Sequence, residues 1–314
     1  MIKHIVLSGG GPTGFLSYGC IKSLLTNKFI NFDYIETLYG TSIGGIIGVM
    51  FALKYDIQTL DDYLIKRPWQ NIFTLDPDAF LNLFYSKSLY EESVATKLLK
   101  TLFEAKDISL DITLKEFYEY TKINLHLFTV EINNLKLVDL NYESFPDLKL
   151  MTALEMTSAV PFFNKPVFYD NKCYLDGGLL NNYPLKNCIE NEKCDVKSII
   201  GIKNKYSSFK LNFEQEMNLL QFYSNMIGVM IHNLQAPNIS EISIPYEIEC
   251  ICHDDLIDYN KWVGFIIDYE KRKNLIDEGE KYGNLFVHYV NKLNNNESNE
   301  NELHENGEIN ENII

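Results

Sequence analysis

The segment HIVLSGGGPTGFLSYGCIKSL, residues 4–24, carries the clearest local pattern in this chain of 314 residues. Its apolar run at 5–7 predicts a short buried strand, and the pattern over about 15–27 predicts a helix. Between the two lie three glycines with the G-x-G-x-x-G spacing, Gly9, Gly11 and Gly14. Backbone N–H groups at such a strand-to-helix turn bind negative charge. The turn would hold either the pyrophosphate of a dinucleotide or an oxyanion that forms in a transition state.

Strand-like and helix-like segments alternate along the rest of the chain. A strand at 35–39 leads directly into a glycine-rich helix that begins at Ile43. Capping boxes at 88/91 and 113/116 predict two helix starts, and long helices are expected over 213–234 and 269–293. Further strands are predicted at 124–132, 136–140, 167–169, 172–175, 198–202 and 247–252. This alternation indicates an α/β fold, with a sheet covered by helices and a single domain over 1–293.

Composition limits the classes of partner. Hydrophobic residues make up 46% of the chain, enough for a sizeable core, and the net charge is −15. This charge argues against nucleic-acid binding and against electrostatic capture by anionic membranes, so any lipid contact should be apolar and local. The most apolar window, residues 43–53, is too short to span a bilayer, so no transmembrane segment is expected. The sequence does not indicate an oligomeric state.

Two further patterns predict the cellular location of the protein and disorder in its last residues. The six cysteines form no C-x-x-C pair, and residues 1–21 lack a signal-peptide pattern, so we expect an intracellular, cytoplasmic protein with transient membrane contact. In the last 21 residues, 294–314, fourteen are Asn or Glu and none is Lys or Arg. This composition predicts a disordered tail. The aromatic-rich stretch 67–88 suggests either a lid or interfacial loop, or aromatic side chains packed in the core.

Ser42 lies in the G-x-S-x-G motif Gly40-Thr41-Ser42-Ile43-Gly44, directly between a predicted strand and a predicted helix. That context is typical of a nucleophile elbow, a sharp turn that exposes a serine hydroxyl above a helix N-terminus. The alternative is an ordinary helix N-cap serine next to glycines.

Asp176 lies in CYLDGGLLNNYP, at the end of a predicted strand and before two glycines. A carboxylate in this position can approach another loop closely. Taken alone, Asp-Gly is equally typical of a simple turn.

Together these motifs resemble those of the patatin-like phospholipase family. The likeness extends through MTSAVPFFNKPVFYDNKCYLDGG (156–178) and DGGLLNNYPL, and covers residues 2–185. It implies a three-layer α/β/α sandwich with a mostly parallel sheet. It also implies a cofactor-free hydrolase that cleaves carboxylic esters of phospholipids or related acyl lipids with a Ser–Asp dyad. Carried over, Ser42 is the nucleophile and Asp176 its base, Gly9, Gly10 and Gly11 form the oxyanion hole, and Gly40 and Gly44 shape the elbow.

The first motif departs from the family pattern at two positions. The family usually has Asp before the three glycines, where this chain has Ser8, and Arg or Lys two residues after them, where it has Thr13. The departures favour a second reading, a non-catalytic lipid-binding protein on the same fold.

A third reading is a nucleotide-binding oxidoreductase. It requires an acidic residue at the end of the second strand, whereas Asp33 precedes that strand. Dinucleotide binding also leaves Ser42 and Asp176 without a role. Among the six histidines His253 is the most suggestive, but no histidine or cysteine spacing predicts a triad or a metal site.

Overall fold

The computed structural model describes residues 1–71, 87, 94–161, 163–206, 213–235, 242–252 and 264–307. The predicted capping box at 88/91, most of the aromatic-rich stretch and His253 lie outside these residues. Trp69, from the start of that stretch, is fully buried in the core, and the capping box between Thr113 and Glu116 is confirmed.

Eight strands form one sheet within the described residues. Their hydrogen-bonded order is β5-β6-β3-β2-β1-β7-β8, with β4 also paired to β3. The strands β3, β2, β1, β7 and β8 are mutually parallel. Strands β4 and β6 each pair antiparallel with β3, and β5 pairs antiparallel with β6. The sheet is thus mostly parallel, as predicted. The strands are β1 His4–Leu7, β2 Thr37–Thr41, β3 Asn124–Glu131, β4 Lys136–Leu140, β5 Val167–Tyr169, β6 Lys172–Asp176, β7 Ile199–Tyr206 and β8 Glu247–Cys252.

Helices cover both faces of the sheet, because side chains alternate between the faces along each strand. Ile5 and Leu7 belong to the larger apolar cluster with α1, α2 and α9, while Val6 belongs to a smaller cluster with α7. These layers confirm the expected α/β/α sandwich. The helices are α1 Gly14–Thr26, α2 Ile43–Ala52, α3 Ile57–Lys66, α4 Val94–Glu104, α5 Leu114–Thr121, α6 Leu150–Thr157, α7 Leu185–Glu192, α8 Leu219–Gln235 and α9 Tyr269–Gly307.

The register of β3 brings the ends of β2 and β6 together. Phe128 pairs with both Thr41 of β2 and strand β4, so β2 and β4 lie on opposite sides of β3. Thr129 pairs with both β4 and Asp176 of β6, so β6 lies on the same side of β3 as β2. The two strands therefore approach each other end to end. The last residues of both strands lie opposite adjacent residues of β3.

Helix α9 runs to Gly307, beyond the expected end at 293 and into the stretch predicted to be disordered. The stretch contains no proline that would stop a helix already formed over the preceding residues. Side chains 291–295 are all exposed. A domain boundary at 293 stays a prediction. No helix among the described residues combines the length and hydropathy needed to cross a membrane.

Candidate active site

Ser42 occupies the sharp turn between β2 and α2. Its backbone has φ 55° and ψ −125°, a conformation that costs a non-glycine residue about 1–3 kcal/mol. Neighbouring groups hold it there. The Ser42 N–H donates to Oγ1 of Thr157 at 3.0 Å, and the Thr157 hydroxyl in turn donates to the carbonyl of Phe128 on β3. The turn is thereby tied to the sheet.

The predicted elbow glycines lie where backbone segments come too close for a side chain. A Cβ at Gly40 would lie 2.6 Å from the backbone nitrogen of Gly45, and one at Gly44 would lie 2.7 Å from the carbonyl oxygen of Leu7. Both contacts are with backbone, which cannot move aside without distorting β1 or α2. The small residues on either side of Ser42 thus allow the helix to begin directly at the end of the strand.

Asp176 ends β6 and is 5% exposed. Its Oδ1 accepts a hydrogen bond from the N–H of Gly178 at 2.6 Å, and its own N–H donates to the carbonyl of Ala159. Its Oδ2 is buried and has no hydrogen-bond partner of standard geometry among the described residues. Burial raises the pKa of the Asp176 carboxyl from 3.8 to about 6, against smaller lowering effects of the Ser42 hydroxyl and the Gly178 N–H.

The structure brings Ser42 and Asp176 together. Their strands meet end to end on β3, and the hydroxyl of Ser42 is close enough to lower the pKa of the Asp176 carboxyl. Among the described residues, no hydrogen bond of standard geometry joins Ser42 to Oδ2 of Asp176.

The glycine-rich turn lies directly beside Ser42. A Cβ on Gly9 would lie 3.2 Å from the Cβ of Ser42, and the Gly9 N–H donates to the backbone carbonyl of Asn182 at 3.0 Å. Gly10 and Gly11 follow with φ 147° and 58°. Within the described part of the chain, the N–H groups of Gly10 and Gly11 have no hydrogen-bond acceptor. The turn therefore presents two available donors and one occupied donor next to the serine.

Asn204 on β7 braces this turn at the two positions that depart from the family pattern. Its backbone N–H donates to the hydroxyl of Ser8 at 3.0 Å, and its side-chain amide donates to Oγ1 of Thr13 at 2.5 Å. The same amide donates to the carbonyl of Gly9 at 2.9 Å, which also accepts from the Asn182 amide at 3.2 Å. Neutral hydrogen bonds thus fix the turn where the family usually places charged side chains.

Three of the residues that build the site were not predicted. Thr157, Asn182 and Asn204 each come from a segment far from the motif that they support. Asn182 lies inside the quoted NNYP stretch, but the sequence gives it no role. Thr157 likewise lies inside the quoted stretch 156–178 without a role, whereas Asn204 belongs to no motif, so no sequence signal could have identified it.

The histidines of the sheet lie away from Ser42. His4 pairs with Thr37 at the start of β2, and its ring contacts the Thr37 hydroxyl at 2.8 Å. His126 pairs with Tyr39, and its Nδ1 contacts the carboxylate of Asp139 at 2.8 Å. Both histidines therefore lie opposite residues of the sheet that precede Ser42 by three positions or more.

Asp33, the acidic residue with the approximate spacing of a dinucleotide-binding site, does not reach the glycine-rich turn. Its carboxylate forms an ion pair with Lys54 at 2.8 Å, at an exposed position before β2. The second strand ends at Thr41 and is followed by Ser42, not by an acidic residue.

The chain is similar to a known protein family and to individual known proteins. Residues 5–189 match the family model described as patatin-like phospholipase. The chain is 30% identical over 257 residues to the probable lipid hydrolase 463L of Invertebrate iridescent virus 6, covering 78% of this chain and 83% of that protein. It is 24% identical over 247 residues to the uncharacterized protein R571 of Acanthamoeba polyphaga mimivirus, covering 78% and 80%.

A solved structure with a similar architecture is VipD from Legionella pneumophila, with a TM-score of 0.49 at 16% sequence identity. The match covers 88% of this chain and 67% of VipD. The family match spans more than half of the chain and includes Ser42, Asp176 and the glycine-rich turn. The chain therefore belongs to the patatin-like phospholipase family.

Proposed function

We propose that the protein is a lipid acyl hydrolase of the phospholipase A type, with Ser42 as nucleophile and Asp176 as its base. One observation carries the proposal: a serine in a strained elbow lies next to a buried carboxylate that has one unpartnered oxygen. Family membership and the similarity to a protein named a probable lipid hydrolase support the substrate class. The reaction is hydrolysis of a carboxylic ester in a phospholipid or related acyl lipid.

The reaction proceeds in two half-reactions. Oγ of Ser42 attacks the ester carbonyl carbon while Oδ2 of Asp176 accepts the hydroxyl proton. The tetrahedral intermediate collapses, and Asp176 returns that proton to the departing lipid alcohol, which leaves an acyl group on Ser42. Water then attacks the acyl carbon and gives its proton to Asp176. Collapse of the second intermediate returns the proton to Ser42 and releases the fatty acid.

The environment of Asp176 suits it to this role. An ordinary aspartate has a pKa near 3.8 and is a weak base, whereas burial raises the pKa of Asp176 to about 6. At pH 7 such a carboxyl is still about nine-tenths ionised, so the base form dominates while its affinity for a proton is increased. Accepting the proton also removes a buried charge, which is costly to maintain.

We assign the oxyanion to the N–H groups of Gly10 and Gly11, because they directly follow Gly9, which lies beside Ser42, and have no other acceptor among the described residues. Gly9, predicted as a third donor, already donates to Asn182 and fixes the turn instead. One such donor is typically worth ~3 kcal/mol of transition-state stabilisation.

The departures at Ser8 and Thr13 do not favour the non-catalytic reading. Both side chains are engaged by Asn204, which holds the glycine-rich turn against Ser42 without charged groups. The turn is braced by other means, so the missing charged residues do not imply a missing oxyanion hole.

Ser42→Ala tests the proposal. Ala has the same Cβ as Ser, so the elbow should persist, and the variant should lose both ester turnover and labelling by a fluorophosphonate. Ser144→Ala, at an exposed serine, is the matched control and should behave as the parent protein. Labelling that maps to another serine, or turnover retained by Ser42→Ala, would show that Ser42 is not the nucleophile.

A further inference from the structure

Helix α8 has an unusual composition for an exposed helix. Its 17 residues, LLQFYSNMIGVMIHNLQ, contain no Asp, Glu, Lys or Arg. A surface helix normally faces solvent with charged side chains and turns its apolar side inward. In α8, by contrast, several exposed positions are apolar.

Four exposed apolar side chains, among those that the structure describes, form one stripe along α8. They are Leu219 at 58% exposure, Phe222 at 44%, Tyr223 at 37% and Met230 at 54%. The offsets of 0, 3, 4 and 11 residues fall within about 100° of the helix circumference, since each residue advances by roughly 100°. We call these four residues the α8 stripe. Phe222 packs edge-on against Phe213 and Tyr223, which extends the stripe into an aromatic cluster at its N-terminal end.

The helix that carries the stripe lies against the candidate active site. Helix α8 packs against the 3-10 turn Gly177–Leu179, which directly follows Asp176. An apolar surface held by α8 would therefore lie beside the point at which a lipid ester must enter.

We propose that the α8 stripe docks the protein on the lipid–water interface of its aggregated substrate, at uncharged or zwitterionic lipid. This proposal rests on the proposed function, since it names the surface through which that site reaches its substrate. The stripe has no charged side chain of its own, and Glu214 and Glu216 are exposed just before the helix. With a net charge of −15, the protein would gain nothing from anionic headgroups. Docking is therefore by insertion of apolar side chains.

A second copy of the chain fits the stripe less well. At their observed exposures, four side chains of this size offer roughly 400 Å² of surface. A stable protein interface buries about 800 Å² on each partner. An interface with lipid has no such threshold, because each inserted side chain contributes separately.

The test measures flotation with vesicles of phosphatidylcholine, in the Ser42→Ala protein so that no lipid is consumed. The stripe variant Leu219→Gln, Phe222→Gln and Met230→Gln is compared with a matched control on α9, Leu285→Gln, Tyr289→Gln and Leu293→Gln. The control residues are also apolar and exposed. They lie past the C-terminal end of α1, because Asn284 contacts Ser23 and Phe286 contacts Phe29. The glycine-rich turn lies at the opposite end of that helix.

We expect the stripe variant to lose at least tenfold in vesicle partitioning while its unfolding midpoint stays that of the parent. The α9 control should partition within twofold of the parent. Adding phosphatidylserine should not tighten binding, and raising the salt concentration should not weaken it. Because flotation needs no turnover, its result is independent of whether Ser42 is the nucleophile.

Several results would overturn the proposal. They are a parent protein that does not float, an equal loss in the α9 control, and binding that requires phosphatidylserine and is released by salt. A parent that is dimeric by sedimentation, with a monomeric stripe variant, would show that the stripe is instead an interface between copies.

Discussion

Asp176→Asn should inactivate the enzyme and at the same time stabilise it in a pH-dependent way. Folding raises the pKa of this carboxyl from 3.8 to about 6, so the folded protein holds the proton more tightly than the unfolded chain does. Stability conferred by the protonated group is present below pH 3.8 and is lost as the pH rises through about 6. Above that pH the ionised carboxylate is a constant cost to the folded state.

The magnitude follows from the size of the shift. A rise of the pKa from 3.8 to about 6 corresponds to about 3 kcal/mol, and this is the full change in stability from below pH 3.8 to above pH 7. Between pH 8 and pH 5 the expected part is about 1 kcal/mol, because pH 5 lies about one unit below the folded-state pKa. Asn has no such titration. Any fixed cost of its buried amide cancels when the two pH values are compared.

The assay is urea unfolding of the parent and Asp176→Asn at pH 8 and pH 5. The free energy of unfolding of the variant, relative to the parent, should be higher at pH 8 than at pH 5 by about 1 kcal/mol. Ester turnover should be reduced by orders of magnitude, since Asn cannot accept the proton of Ser42. If the free energy of unfolding of the variant relative to the parent were the same at both pH values, the assignment of a buried carboxyl with a raised pKa would be refuted. Retained turnover would refute its role as base.

Three other changes test the surroundings of the dyad. Asn204→Asp keeps the side-chain shape but cannot donate to the carbonyl of Gly9, so kcat should fall about tenfold or more with little change in KM. An unchanged kcat would show that the hydrogen bonds of the Asn204 side chain are dispensable. Gly11→Ala strains a residue at φ 58° and should lower kcat rather than raise KM. The control is Gly48→Ala in α2, where an added Cβ meets no atom closer than 3.5 Å, and it should leave the steady-state kinetics unchanged. Deleting 294–314 should leave the melting temperature and turnover unchanged, and a large drop in either would show that this segment docks on the domain.

The acid limb of the pH–rate profile does not by itself distinguish Asp176 from a histidine as the base. An ordinary aspartate would titrate near 4, far from imidazole, but the pKa of Asp176 is about 6. A profile with an apparent pKa near 6 would fit Asp176 and a histidine equally well. The temperature dependence separates them, because a carboxyl ionises with little enthalpy change and imidazolium with a large one.

The sequence predicted the sheet well because its strands are short, buried and apolar. The bounds of β4, β5 and β8 agree with the predicted segments, and β2 differs by two residues because Gly40 and Thr41 still pair with β3. Helices α6 and α7 were not predicted. Each has only eight residues, and such short helices are stabilised by packing on the sheet rather than by any local signal.

The direction of β6 was also not predictable from local pattern. Alternating side chains identify a strand but not its neighbour or its orientation. The local motifs therefore identified Asp176 and Ser42 separately, and only the family resemblance paired them. The physical reason for the pairing is the antiparallel register of β6 on β3, opposite the end of β2.

Two unfavourable features meet at this junction of strands. Ser42 holds a positive φ that costs about 1–3 kcal/mol, and the Asp176 charge costs up to about 3 kcal/mol at neutral pH. Neither feature would persist on an isolated turn. Both are fixed by β3, which pairs with the ends of β2 and β6 and, through the Phe128 carbonyl and Thr157, also holds the Ser42 N–H. Because β3 lies inside the sheet with neighbouring strands on both sides, it can hold both features in place. The reaction would use the carboxylate that folding leaves without a full set of hydrogen-bond donors.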